Sequence, residues 1–575
     1  VACLLLISLA AAYIALIRYL DNTNLSTTNG LWKAPWVHEW ELGTYRPLDT
    51  GDLFYLPAYG FLCRLIPDQA VSYGVHGELV TYRKMAMLNA VFSALSSCAV
   101  FLLAFRFLES IHAALVVALA HACTGFVLLH GVNSEDVTPA YAFFVLTVLS
   151  FFAHAQTRKL RWLVLCAGFL ALTTVFHWTL MIPAAAAVLI SQAVLVMKRK
   201  HPAWSLAAFP LVFLVMIGLA ALCANLLYPD SSFSPWQILY PSKAGPSGWL
   251  GFRWNKLIFA SAGIGSYYLG AQQFSDYRAA FRSPFLLTVG ISWLYLLAVL
   301  GAAVSAFFRR RTSGDLRLLA GFGGMLFGVG ELEHLYSQPQ DPQSQLQPMF
   351  LSVAALILIL CYLRGRLKRR AYRLATASLA LASLAVGFWN VKLLAASRGG
   401  DSQYVPAVKQ LARLFPPDTF IRVSHAYEEW NTWWYVEENR GNWSDFRANT
   451  ILLLLPFADH AGISAAAAAE MVKRRIAEAF ASGQRVVACS LWVQEKADFA
   501  MMMAAVTDRE KAEEYYDTLR DAFPTGQTWD TPVGRFVELL PVAPAAIHRQ
   551  DRMVESRLKP RGTERIPDGL SRPDR

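Results

Sequence analysis

Over the first two-thirds of the chain, apolar residues neither alternate as in a half-buried strand nor follow the stripe of an amphipathic helix. They fill blocks of about 17 to 25 residues closed by charged breaks, each long enough to cross a roughly 30 Å hydrocarbon core as a helix. The pattern predicts about eleven spans, near residues 1–20, 85–105, 111–130, 137–155, 162–177, 179–197, 204–227, 284–308, 316–331, 349–363 and 372–396. The fifth and sixth lie close enough to form one broken hairpin.

After "LLAASRGGDSQYVP" the blocks stop. "TFIRVSH", "NTILLLLP", "RVVACSL" and "GRFVELLP" read as short strands, and "SAAAAAEMVKRRIAEAFASG" as a helix closed by glycine, with a second helix over 508–523. The alternation predicts a small α/β domain at 401–545, following a transmembrane domain at 1–400. The stretch 546–575, rich in Arg, Asp, Pro and Gly and without an aromatic residue, is expected to be disordered. Neither G-x-G-x-x-G nor a P-loop occurs in the second domain.

Composition agrees with the pattern. Of 575 residues, 55% are hydrophobic and 16% charged, and the mean hydropathy is +0.35, which excludes an ordinary soluble chain. The net charge of +11 is concentrated in alternate loops: Arg106; Arg158, Lys159 and Arg161; Lys198 to Lys200; Arg309 to Arg311; and Arg364 to Arg373. By the positive-inside rule these loops are cytoplasmic, so the charge reads as topology rather than nucleic-acid binding. The other loops, including long ones at 21–84 and 228–283, and the second domain then face outward. The eight cysteines are scattered singly, without C-x-x-C or a zinc spacing, and read as small core residues. The first block lacks a basic n-region and is read as a retained span.

The outward loops hold the candidate chemistry. "RPLDTGDLFYLP" places Asp49 and Asp52 around a Thr-Gly turn. "HGVNSEDVTP" supplies Glu135 and Asp136, and "FHWT" supplies His177. "GELEHLYSQPQDPQSQLQP" gathers Glu331, Glu333, His334, Tyr336 and Asp341, a polar edge suited to hydroxyl-rich ligands; a solvated, proline-capped loop would have the same composition. In the 228–283 loop, Trp, Tyr and Phe are interleaved with Arg253 and Arg278, as for a segment lying at the headgroups near a lipid phosphate. A plain aromatic belt fits the same residues.

A first span, a long first outer loop with an Asp before an aromatic helical segment ("DTGDLFYLPAYGFLCRL"), an acidic pair in the next outer loop ("NSED"), many further spans and a terminal domain together resemble the GT-C superfamily. These integral-membrane glycosyltransferases use polyprenyl-phosphate-linked sugars, as aminoarabinose transferases and protein O-mannosyltransferases do. The resemblance implies that Asp52, or Asp49, takes the acceptor proton or positions the acceptor. The family's adjacent Asp-Glu pair is missing from that loop, and Asp52 is favoured because Tyr55 follows it at the usual distance. It also implies a second acidic position, in places a metal ligand, at Glu135 or Asp136, and lipid-phosphate contacts from Arg46, Arg83 and Lys84.

On physical grounds such a transfer needs a base for the acceptor hydroxyl and positive charge for the departing phosphate. Asp and Glu oxygens suit Mg²⁺ or Mn²⁺, although no full coordination set is visible. The expected partners are membrane lipids and the lipid-linked donor, with no nucleic acid, and the expected place is the outer face of a bacterial inner membrane. Two alternatives stay open: a transporter or flippase for a lipid or polar solute, which needs ionisable groups in mid-span where His121 is the clearest example, and a non-catalytic GT-C-like scaffold.

Overall fold

A computed structural model of the chain describes residues 1–20, 29–43, 53–71, 78–228, 233–239, 255–269, 285–308, 313–336, 345–397, 411, 413–415, 420–424, 450–452, 455, 463–503, 508–531 and 534–542. Helices α1 (Ala2–Leu20), α2 (Asn29–Leu42), α3 (Tyr55–Cys63), α4 (Glu78–Leu108), α5 (Ile111–Ala122), α6 (Gly125–Val132), α7 (Val137–Thr157), α8 (Leu160–Phe176), α9 (Met181–Met197) and α10 (Trp204–Leu227) come first. They are followed by α11 (Pro235–Leu239), α12 (Asn255–Tyr268), α13 (Phe285–Phe307), α14 (Gly314–Tyr336), α15 (Leu351–Arg364) and α16 (Arg369–Ser397). Helix α4 lies at the centre, against α1, α2, α3, α5, α6 and α7.

Among the described residues six helices are long and apolar enough to cross a membrane, and α5 with α6, bent by 70° at their junction, makes a seventh. Shorter apolar helices occupy Leu160–Phe176, Val289–Gly301 and Pro348–Arg364. The chain is thus a polytopic helical membrane protein.

The bend between α5 and α6 frees carbonyls that a continuous helix would have bonded, and in an apolar interior these must find donors. Tyr13 Oη donates to Ala122 O at 3.0 Å, and Asn390 Nδ2 donates to Cys123 O at 2.9 Å and Tyr268 O at 2.7 Å. Gly387 permits the approach of α16, since a Cβ there would lie 2.7 Å from Cys123 Sγ. His121, the ionisable side chain singled out in mid-span, has both ring nitrogens engaged, one with Ser97 Oγ at 3.0 Å and the other with Tyr141 Oη at 2.9 Å. Its surroundings are those of a packed core histidine.

The carboxy-terminal part holds a five-stranded mixed sheet in the order β2-β1-β3-β5-β4. Its strands are β1 (Phe420–Ser424), β2 (Thr450–Leu452), β3 (Arg485–Ala488), β4 (Thr525–Thr531) and β5 (Gly534–Leu539). β1 runs parallel to β2 and β3, and β5 antiparallel to β3 and β4. Strand alternation sends Ile421, Val423, Val486, Ala488, Val537 and Leu539 into one core with helices α17 (Ala465–Ala481), α18 (Lys496–Met503) and α19 (Arg509–Arg520). Helix α17 begins at Ser464, whose side chain caps Ala467 N, and buries Ala465, Ala468, Ala469, Val472, Ile476 and Ala479 at helical spacing. The opposite face of the sheet offers Phe420, Val487 and Phe536, with Phe415 meeting Trp529 edge-on at 4.9 Å. Arg422 is fully buried and donates to Phe415 O at 2.9 Å. The expected tail at 546–575 lies outside the described residues.

Helices α2 and α3 pack so closely that a Cβ on Gly60 would sit 2.3 Å from Trp40 Cβ. Gly60→Ala is therefore expected to force the two helices apart and to cost about 1–3 kcal/mol, read as a lowered thermal midpoint in detergent. An unchanged midpoint would show that α2 does not lie against α3 at this glycine.

Candidate functional site

The first long loop and the second acidic loop meet at one end of α4. α3 continues from Leu53 and Phe54, which immediately follow the candidate base Asp52, and both are anchored. Tyr228 Oη donates to Leu53 O at 3.4 Å, and Phe54 N–H donates to Val175 O at 3.2 Å. Tyr55 and Tyr59, one helical turn apart, stack with ring centroids 4.2 Å apart and are fully buried. Tyr55 Oη donates to Ser134 O at 3.1 Å, and Tyr59 Oη donates to Asn89 Oδ1. Asn89 in turn donates to the carbonyls of Asn133 at 2.9 Å and Glu135 at 2.7 Å. Burial, together with nearby acidic groups, raises both phenols above the ordinary tyrosine range, so they remain donors.

Lys33 on α2 completes this junction. It forms a buried ion pair with Asp136, the two side chains being 2% and 1% exposed, and its ammonium lies 5.4 Å from the centre of the Tyr55 ring. Two loops about a hundred residues apart in sequence are thereby joined by an ion pair and the Tyr-Asn-carbonyl chain, while the cation–π contact ties α2 to α3. Glu135, also a sequence candidate, is 2% exposed in the same turn, with its N–H directed to Asn133 Oδ1 at 3.3 Å.

Arg83 and Lys84, expected at a lipid phosphate, are turned into the protein. Arg83 is 1% exposed and donates to Val71 O at 3.2 Å. Lys84 is ion-paired with Glu41 and, at 2.5 Å, with Asp68. Burial works against the charge of Glu41, but hydrogen bonds from His38, Lys84 and Thr81 outweigh it and lower its pKa to about 2. Lys84 is thus neutralised by carboxylates of the first loop.

A second polar group gathers at the end of α14. Glu331, Glu333 and His334 occupy its last two turns, with Tyr336 its final residue, and His177 stands at the break where α8 gives way to a 3-10 turn at Trp178–Leu180. Arg46, Asp49, Asp52, Arg253, Arg278 and Asp341 lie outside the described residues. Among the described residues no three His, Cys, Asp or Glu side chains converge as ligands for a metal, and the Asp136 carboxylate already holds Lys33.

Sequence reasoning missed Lys33, Asn89 and Tyr59. The one available signal for Lys33 was a lone cation inside the tryptophan-rich "GLWKAPWVHEW". Its partner Asp136 is too distant in sequence for any local pattern to reveal.

No protein-family model and no curated protein matches the chain. Solved structures do. The chain is similar to the oligosaccharyltransferase of Archaeoglobus fulgidus in complex with zinc and sulfate, at 16% identity over 93% of this chain and 72% of that one, with a TM-score of 0.53. It is also similar to ArnT from Cupriavidus metallidurans bound to undecaprenyl phosphate, at 12% identity over 94% of this chain and 98% of that one, with a TM-score of 0.49. The likeness to the oligosaccharyltransferase is one of fold.

Proposed function

We propose that the chain is a membrane glycosyltransferase that moves a sugar from a polyprenyl-phosphate donor to a hydroxyl of a lipid, glycan or protein at the outer face of a bacterial inner membrane. The observation that carries this reading is the buried junction of Lys33, Asp136, Tyr55, Tyr59 and Asn89, which fixes the segment after Asp52 against the second acidic loop in a fold shared with an oligosaccharyltransferase. The ArnT structure, bound to undecaprenyl phosphate, is the precedent for the lipid carrier.

In this reading the Asp52 carboxylate takes the proton of the acceptor hydroxyl as its oxygen bonds to the anomeric carbon. The bond from that carbon to the phosphate oxygen breaks, and the lipid phosphate leaves with the electron pair. Arg46, Arg253 and Arg278 are assigned to the phosphate, as a positive cluster placed where charge develops; Arg83 and Lys84 instead brace the loop through Val71, Glu41 and Asp68. The Lys33–Asp136 pair positions, and the two tyrosines wall the site. The transmembrane part is assigned to 1–400 and the outward α/β domain to 401–545.

Incubating the detergent-purified protein with a panel of radiolabelled polyprenyl-phosphate sugars tests the reading. Release or transfer of sugar from at least one donor is expected. Failure to consume any donor in the presence of lipid, glycan and peptide acceptors would overturn it.

A further inference from the structure

The end of α14 holds polar atoms that the fold leaves unsatisfied. Gly330 brings this turn directly onto Pro348, since a Cβ at Gly330 would lie 2.7 Å from Pro348 Cγ. Glu331, Glu333 and His334 are thereby set beside the 345–348 segment, where Gln345 hydrogen-bonds the Glu331 carboxylate. Gln347 Nε2 donates to Leu180 O at 2.9 Å, and Leu180 N–H donates to His177 O at 3.3 Å, so the turn after α8 joins the same rim. His177 lies within electrostatic reach of both Glu333 and His334.

On this rim Glu331 Oε1, Glu333 Oε2, His334 Nε2 and Gln347 Oε1 are buried without a hydrogen-bond partner. His334 is 3% exposed and Gln347 is fully buried, so neither side chain is satisfied by bulk water. Such orphaned groups are rare in native interiors and call for an occupant. Three of the four atoms are acceptors, and neither carboxylate is ion-paired with a described lysine or arginine. An anion or an apolar group would leave them unpaired. A ligand presenting several hydroxyl donors satisfies them together, with His334 accepting or donating according to its tautomer.

We propose that the rim formed by Glu331, Glu333, His334 and Gln347 is a carbohydrate-binding subsite that reads sugar hydroxyls through acceptors. It adjoins the first-loop junction through the bond from Phe54 N–H to Val175 O, two residues before His177. The subsite deepens the glycosyltransferase reading and rests on it for the sugar's carrier, whereas sugar binding as such does not require turnover.

The test uses the full chain in nanodiscs and a panel of methyl glycosides, with saturation-transfer NMR as the readout. Wild type is expected to bind at least one glycoside. Glu333→Gln and Gln347→Leu are expected to weaken it at least about tenfold, whereas the exposed Glu470→Gln leaves it unchanged. A wild type that binds no glycoside, or variants that bind as wild type does, would overturn the subsite. Thermal midpoints within a degree or so of wild type guard against misfolding, and His334→Gln, which keeps a polar group in the same place, supplies a second variant expected to weaken binding. The arms also separate the two readings. Sugar binding without consumption of any lipid-linked donor keeps the subsite and removes the transferase. Donor consumption with binding indifferent to these variants does the reverse. Undecaprenyl phosphate with and without an attached sugar then distinguishes the donor's sugar from an acceptor glycan: only in the first case do the variants erase a preference for the sugar-bearing lipid.

Discussion

Asp52→Asn is expected to lower sugar transfer by a factor of about 10² to 10⁴, the usual contribution of a positioned general base, while leaving the thermal midpoint and binding of the lipid donor as in wild type. The carboxamide keeps the size and shape of the side chain and removes its ability to accept a proton at neutral pH, so the change acts on the chemical step. A single-turnover assay with radiolabelled donor reads it directly. The neighbouring segment is well suited to hold such a base: Leu53 and Phe54 are tied to Tyr228 and Val175, and Tyr55 to Ser134. Asp49→Asn is expected to lose much less. The reverse order would move the base to Asp49, and full activity in both variants would remove the loop from the chemistry.

The membrane helices were legible because lipid imposes a length and an apolar composition on any segment that crosses it. Predicted blocks at 1–20, 137–155, 204–227 and 284–308 differ from α1, α7, α10 and α13 by a few residues at most. The bend between α5 and α6 was not legible, because "LAHACTGFVLL" is apolar on both sides and the donors that permit the break, Tyr13 and Asn390, lie far away in sequence. Helices α2 and α12 mix aromatic and charged residues without a clean period, and β4, "TGQTWDT", is a polar edge strand that pairs only with β5.

The site divides in the same way. Residue types that chemistry requires could be picked out loop by loop, and Glu331, Glu333, His334 and His177 do come together at one rim. What a charge does depends on its partner. The resemblance implies a phosphate contact for the "RK" at 83–84, yet Glu41 and Asp68 neutralise Lys84. Conversely, Lys33 gains its meaning from Asp136, about a hundred residues away.

That dependence makes Lys33→Met a strongly destabilising change. Methionine preserves much of the apolar volume but removes the cation that pairs with Asp136, whose side chain is 1% exposed. Breaking a buried pair in this way costs about 3–5 kcal/mol, far more than the net worth of the pair, because the remaining charge has lost its compensation. Asp136→Asn alone removes the other half of the pair and is expected to destabilise similarly. In the double variant Lys33→Met/Asp136→Asn both charges of the pair are gone, so its thermal midpoint is expected to recover most of the loss. Restored folding should not restore full transfer, because α2 no longer pins the turn at 134–136 to Tyr55 and the segment after Asp52. Unfolding curves for the four proteins, in one detergent and at one pH, yield the coupling. Additive losses would show that the two charges do not depend on each other, and the junction would then be packing alone. A double variant with wild-type stability and wild-type turnover would instead confine the pair to folding and free the Asp52 loop from any need of it.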